Sequence, residues 1–310
     1  MARVDGQTYS LFGCPDPVSG VQEASVNSGS YTPTHTVFIL TAGSVVFHLD
    51  FFSPVSPSNL LRQSLPFSYL TVSASSNSGQ HSVQIYSDID DSWAGQFGPY
   101  VSTSWNYAYT SNGATLYTIT PGAVAEYSEV ADMAQWGTAV YAAQSSEGLT
   151  SELGPASSLR SEFVNSGSLS ADSNWTIGAA LGYAHDLGSV SASATNVTFV
   201  VGYVRETDVN YYNGARVGYW RSAFNTIELA VAHMFSDFSS AVQESYSIDK
   251  SLNDQAYGVA NGEYSNILAL SMRQAFGSMD ITVPSGSLDT SEVMVFMKEL
   301  SRLVRPRFKH

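Results

Sequence analysis

A chain of 310 residues with 13 basic and 27 acidic side chains, 44% hydrophobic and only 13% charged, has ample apolar sequence for a core and too much for a disordered chain. Its formal net charge of −14 repels phosphate backbones, which excludes nucleic acid as a partner. The single cysteine, Cys14, permits no internal disulfide, and no stretch is long and apolar enough to span a bilayer, so no membrane partner is expected.

The chain opens on Met1-Ala-Arg-Val-Asp-Gly6, without the charged segment, apolar run and cleavage site of a secretory leader. From residue 34 the sequence alternates. In Ser44–Phe52, Val45, Phe47, Leu49 and Phe51 point one way and Ser44, His48 and Asp50 the other. In His81–Asp90, Val83, Ile85 and Ile89 oppose Gln84, Tyr86 and Asp88. Period-2 runs of this kind are half-buried antiparallel strands. Clusters such as Ser53-Pro-Val-Ser-Pro57 and Ser75-Ser-Asn-Ser-Gly79 supply the turns. The pattern returns at 115–120, 136–143, 176–186 and 196–205, with no helical pattern between. Many short strands in succession predict a large antiparallel β-sandwich.

Near Tyr211 the period changes. Val217, Trp220, Phe224, Ile227, Val231 and Met234 recur every three or four residues, the stripe of an amphipathic helix. A second helix is predicted over 239–257, with Ala241, Ser245, Ile248 and Leu252 on one side. A third is predicted over 262–276, with Ile267, Leu268 and Ala275 inward. Glu292–Lys298 reads as a strand or a helix. The segment 301–310 carries Arg302, Arg305, Arg307 and Lys309 and no acid, a basic tail foreign to the acidic chain before it. Sixteen acidic and four basic residues lie in 1–206, against eleven and nine in 207–310. The change of period places a domain boundary between Glu206 and Gly218, dividing the chain into 1–206 and 207–310.

Motifs for common chemistries do not occur: no G-x-S-x-G elbow, H-E-x-x-H, zinc-spaced Cys/His cluster or P-loop. The histidines at 35, 48, 81, 185, 233 and 310 are scattered singly and read as surface residues. Two acidic clusters stand out. Asp88-Ile-Asp-Asp91 before Trp93 offers oxygen ligands or a sugar-facing aromatic at a strand end, and its plain reading is a solvated turn. Glu126, Glu129 and Asp132 before Trp136 space three carboxylates evenly, and paired carboxylates serve as acid and base only when set across a substrate. Neither cluster predicts a metal or cofactor. Asn174-Trp-Thr176 and Asn196-Val-Thr198 fit the N-glycosylation rule, so Asn174 and Asn196 are candidate acceptors in a secreted protein. Of the two, Asn196 precedes a strand and its side chain has to face outward.

Six segments, in order, resemble the fungal glutaminase A family. They are Ala2-Arg-Val-Asp-Gly-Gln-Thr-Tyr9, Ser56-Pro-Ser-Asn-Leu-Leu-Arg-Gln-Ser-Leu-Pro-Phe-Ser-Tyr-Leu70, His81-Ser-Val-Gln-Ile-Tyr-Ser-Asp-Ile89, Glu126-Tyr-Ser-Glu-Val-Ala-Asp-Met-Ala-Gln-Trp136, Met272-Arg-Gln-Ala-Phe-Gly277 and Phe296-Met-Lys-Glu-Leu-Ser301. The run through Leu70 is the most specific. The resemblance implies an N-terminal β-sandwich over 1–206, followed over 207–310 by the opening of an all-α barrel of six helical hairpins, incomplete here. It further implies an extracellular protein whose complete form hydrolyses glutamine, a small-molecule substrate, to glutamate and ammonia without a cofactor. No catalytic or substrate-binding motif of the family maps onto these residues, so the 310-residue chain is expected to be inactive alone. A sandwich joined to a hairpin barrel also suits a carbohydrate-processing or sugar-binding protein. Trp93, Trp105 or Trp136 lining one groove would favour that alternative.

Overall fold

The computed structural model describes residues 1–13, 18–94, 103–130, 133–170, 179–212, 214–260 and 262–297. Strand alternation builds its layers. Along Thr138–Ala143, Ala139, Tyr141 and Ala143 enter one core, while Val140 and Ala142 enter another. Phe67–Ser75 splits in the same way, with Val72 and Ala74 in the first core and Phe67 and Tyr69 in the second. A strand apolar on both faces belongs in the interior of a layered stack. These two lie within an eight-stranded antiparallel sheet, ordered Ser25–Tyr31, His35–Ala42, Val45–Phe52, Phe67–Ser75, Thr195–Val204, Thr138–Ala143, Thr115–Pro121 and Thr103–Tyr109.

A six-stranded sheet covers one face. Its order is Leu149–Pro155, Ala179–Val190, His81–Asp90, Ala2–Val4, Gln7–Ser10 and Val21–Glu23, antiparallel except for the last pair. Val45, Phe47 and Leu49 from the larger sheet meet Val83, Ile85, Leu181 and Tyr183 from the smaller one in the first core. The β-sandwich expected from alternation is therefore present, and Val45, Phe47 and Leu49 face the way the sequence predicts.

The described helices are α1 (Leu60–Ser64), α2 (Ala156–Ser166), α3 (Ile227–Val259) and α4 (Gly262–Gly277). Helix α2 closes the outer face of the six-stranded sheet by setting Leu159 and Phe163 against Tyr86, Ala180 and Ala184. Periodicity does not reveal it, since two apolar side chains four apart are too few to show a period in a Ser-rich stretch. The start of α3 packs on the outer face of the eight-stranded sheet. Ala230, Val231, Met234 and Ala241 join Phe52, Phe67, Tyr69, Val140 and Val200 in the second core.

The helical region departs from expectation in three ways. The two helices predicted before residue 257 are one. Thr226 caps it, its hydroxyl accepting from the Leu229 amide, and no glycine or proline interrupts it before Gly258. The polar residues at 236–240 that resemble a break form a bonding face, described below. Val217 lies in a strand and Trp220 in a short 3₁₀ turn, so the three-and-four spacing began before the helix did. Nor is 207–297 all-α. Val209–Tyr211, Gly214–Gly218, Met279–Pro284 and Met294–Met297 pair into a four-stranded antiparallel sheet. The β-branched run Ile281-Thr-Val283 favours extended backbone. Lastly, Trp220, Val231 and Met234 are buried against the sandwich, which supplies their cover without the rest of a helical barrel. On α4, which the sequence bounds to within one residue, Ile267 is exposed rather than inward.

Candidate functional site

The most specific of the six segments turns out to dock the helices. Asn59 caps α1, its side-chain oxygen accepting from the Arg62 amide at 3.1 Å. This single turn aims the Arg62 side chain at α3. Its Nε and Nη2 donate to the Asp237 carboxylate at 2.7 Å each, Nη2 also reaches the Ser240 hydroxyl, and Nη1 donates to Glu244. Burial works against the Arg62 charge, but the Asp237 hydrogen bond outweighs it and the guanidinium pKa is raised. Gln63 accepts from the Ser56 amide, and the buried Tyr69 hydroxyl donates to the Met234 carbonyl at 2.7 Å. From α4, Arg273 returns the contact by donating to the His35 and Thr32 carbonyls and the Thr36 hydroxyl. Two family segments thus form one seam.

Beside that seam lies a pocket of about 270 Å³. Ser64 and Pro66 follow α1 into it. Ala134 and Trp136 arrive from the hairpin after Glu126, Tyr203 and Arg205 from the end of a sandwich strand, and Asp280 from the four-stranded sheet. Arg205 holds it together, one Nη contacting Asp208 at 3.1 Å and Asp280 at 2.9 Å. Burial opposes the Arg205 charge, yet Asp280 and Asp208 more than offset it and raise the pKa. Burial also raises the pKa of Tyr203, which stays a phenol and donates to the Trp136 carbonyl. Two glycines permit the close approach. A Cβ at Gly218 would lie 2.5 Å from the Trp220 indole nitrogen, and one at Gly137, whose φ is +108°, 2.5 Å from the Tyr203 ring. As built, Arg205 engages both carboxylates, which suits polar recognition and joining of the sheets more than proton transfer.

A second cavity, of about 520 Å³, lies between the two sandwich sheets. Asp88 is at its polar end. Arg160 donates to it from Nε at 2.7 Å and Nη2 at 3.2 Å, and the Tyr86 hydroxyl at 2.8 Å. Trp93 and Phe12, 44% and 55% exposed, stand at its rim.

The residues singled out in the sequence do not assemble into one centre. The Asp88–Asp91 cluster disperses: Asp88 pairs with Arg160, Asp90 turns to Ser92 and Asp91 opens a 3₁₀ turn. Glu126 and Glu129 are exposed on their hairpin, and Asp132 is outside the described residues. Among the described residues no group of three or more His, Cys, Asp or Glu is placed to hold a metal. Trp93 and Trp136 line different cavities. Asn196 is exposed on its strand, whereas Asn174, Cys14 and the 301–310 tail lie outside the described residues. His35 is a correction, being buried rather than superficial. It bonds Asp50 at 2.9 Å and stacks between Phe52 and Tyr246. Sequence reading missed Arg62, Arg160 and Arg205 as well. Their scarcity was the available signal, since sixteen acids compete for four arginines before residue 207, and a lone guanidinium in such a field finds a partner.

Comparison with known proteins supplies a family context. A family model described as "Domain of unknown function (DUF5127)" matches residues 34–255. A protein of Aspergillus oryzae named "Glutaminase A" is 30% identical over 96% of this chain and 44% of its own length. One of Arthroderma benhamiae, named "Probable glutaminase", is 25% identical over 96% of this chain and 37% of its own. The chain therefore spans less than half of either relative. Among solved structures, "Putative kojibiose phosphorylase from human microbiome" is similar at a TM-score of 0.31 and 9% identity, over 80% of this chain and 24% of that one. Heparan sulfate lyase HepC from Pedobacter heparinus is similar at 0.28 and 7%, over 61% and 23%. No helix among the described residues is long and apolar enough to cross a membrane.

Proposed function

This chain belongs to the fungal glutaminase A-like family and carries its DUF5127 domain, and from that premise we propose that it is the sandwich-bearing part of an extracellular amidohydrolase. In this reading the complete protein takes glutamine as its small-molecule substrate and releases glutamate and ammonia. The observation that carries it is likeness to glutaminase-named proteins along 96% of the chain. Residues 1–206 are the sandwich unit and 207–310 the start of the helical unit, with the Arg62 seam and the Arg205 pocket holding them in register. Amide hydrolysis needs a base, a nucleophile or activated water, and oxyanion donors in one place. With Asp208 and Asp280 turned to Arg205, the 310-residue chain does not turn over glutamine alone. Asn174 and Asn196 are its glycan sites when it is secreted.

The test is ammonia release from glutamine by the purified chain beside a full-length relative. Release by the relative alone supports the reading. Release by the 310-residue chain, well above a heat-killed control and removed by immunodepletion, refutes the division of labour. Release by neither refutes the substrate. Intact-mass analysis after expression through a secretory pathway reads the glycans, and an unmodified Asn174 and Asn196 would refute their assignment as acceptors.

The sugar-binding alternative draws some support from exposed rings at the edge of the large sheet, Tyr107 and Tyr109, whose centroids lie 5.1 Å apart. Affinity electrophoresis against soluble polysaccharides distinguishes it. Retardation lost in Tyr109→Ala would favour it over the amidohydrolase.

A further inference from the structure

The cavity between the sheets is independent of the Arg205 pocket and of the amidohydrolase reading. At about 520 Å³ it falls within the usual range of small-molecule sites, roughly 300–1,000 Å³. Leu49, Leu70 and Val201 line it from the eight-stranded sheet and Ile85 and Ile89 from the six-stranded one. Elsewhere between the same sheets Val45, Phe47 and Val83 close the gap and are fully buried. Here Ser68 and Ser87 on the strands, and Ser53 just past one, are too small to fill the gap. A void with apolar walls is a poor site for water and a good one for an apolar ligand.

Its polar end has a definite character. The Tyr141 hydroxyl donates to the Ser87 oxygen at 2.6 Å across the sandwich, and the Tyr86 hydroxyl donates to Asp88. Ser87 thus retains its own hydrogen to give. Burial raises the pKa of Tyr86 and Tyr141, so both stay phenols. The Asp88 charge is met by Arg160 at 2.7 Å. A free donor hydrogen near a closed ion pair matches a head group that accepts a hydrogen bond and carries no charge.

We propose that this cavity binds an uncharged amphiphile, its apolar body between the sheets and a hydroxyl or carboxamide head at Ser87. The test uses the full 310-residue chain and the neutral fluorophore N-phenyl-1-naphthylamine, displaced by 1-decanol or sodium decanoate. Expected are saturable one-to-one uptake and displacement by decanol at a concentration about tenfold below decanoate, the penalty for bringing a charge to that end. Val201→Phe, which fills the cavity, should abolish uptake. Ser87→Ala should leave probe uptake intact and weaken decanol about three- to tenfold, one hydrogen bond's worth. If Val201→Phe fails to fold, decanol raising the Tm of the unaltered chain more than decanoate does serves in its place. Absent uptake, uptake lost in Ile267→Ser but kept in Val201→Phe, or decanoate competing as well as decanol would each overturn the proposal.

Discussion

The two ends of α3 repay comparison. Over Ala230–Ala241 the helix lies on the sandwich, with Val231 and Met234 buried beside Phe52 and Tyr69. Over its second half Tyr246, and over its last turns Tyr257 and Val259, are 58%, 58% and 76% exposed. The first half is the more apolar, with Ile227, Leu229, Val231, Met234, Phe235 and Phe238 against Ile248, Leu252 and Val259 in the second. The partner differs as well. A sheet with a second apolar face lies under the first half, while the second touches the sandwich through Tyr246 on His35 and the Thr34–Asp249 hydrogen bond and runs beside α4. An apolar stripe therefore shows that a face can be covered and leaves open what covers it.

The most severe way to break the comparison is to remove the helices. Ending the chain at Glu206 would expose Phe52, Phe67, Tyr69, Leu116, Val140 and Val200, all now buried. An apolar patch of that extent drives association. We expect the shortened chain to be insoluble or multimeric by light scattering and to bind hydrophobic dye. A soluble, dye-negative monomer would show the sandwich to be self-sufficient and 206/207 to be a true domain boundary.

Next in size is the ion pair under the first half. Arg62 is 7% exposed, and Arg62→Ala leaves Asp237 and Glu244 facing the sheet without their cation. Breaking a buried pair in this way costs about 3–5 kcal/mol, read as a shift of the urea midpoint at unchanged m-value. A loss below about 1 kcal/mol would mean that solvent already screens the seam.

The comparison is sharpened by one truncation on each side. Met234→Ala removes a side chain 2% exposed and should cost about 2–4 kcal/mol, whereas Ile267→Ala, at a position 60% exposed on α4, should change stability by less than about 0.5 kcal/mol. Equal losses would mean that α4 is covered in solution.

The smallest effect concerns pH. Burial lowers the pKa of His185 from its ordinary 6.5, more than the neighbouring Asp186 restores it. The unfolded chain therefore takes up a proton first as pH falls, so stability declines as pH drops through about 6.5 and the loss is complete below the folded pKa. His185→Gln should flatten that decline between about pH 7 and 5. The paired carboxylates contribute equally to both proteins and cancel in the difference. Parallel stability–pH curves would show that this histidine is not responsible.

Much of the sandwich was legible. Period-2 alternation placed Val45, Phe47 and Leu49, and Val83, Ile85 and Ile89, on their buried faces, because a strand has two faces and a sandwich wets only one. The central strands were harder to read, since a run such as Thr138-Ala-Val-Tyr-Ala-Ala143 has both faces apolar and alternation tells nothing about which core receives which residue. The extent of α3 was hidden for a related reason. Ser236, Asp237 and Ser240 look like a break in one dimension and become a bonding face only when Arg62, 175 residues from Asp237, is brought against them.

The candidate sites were the least visible. Arg205, Asp208 and Asp280 meet at one pocket although Asp280 lies 75 residues from Arg205, and no local pattern anticipates that meeting. His35 looked like any scattered histidine until Asp50 and Tyr246 closed around it. By itself the sequence determined the class of fold, the run of strands, the acidic character and the family, since each of these follows from local period and composition or from matched segments. Tertiary structure alone decided which ion pairs form, which cavities stay open and what covers each half of α3. Those outcomes depend on desolvation and on contacts between residues far apart in the chain, and both exist only once the layers have closed.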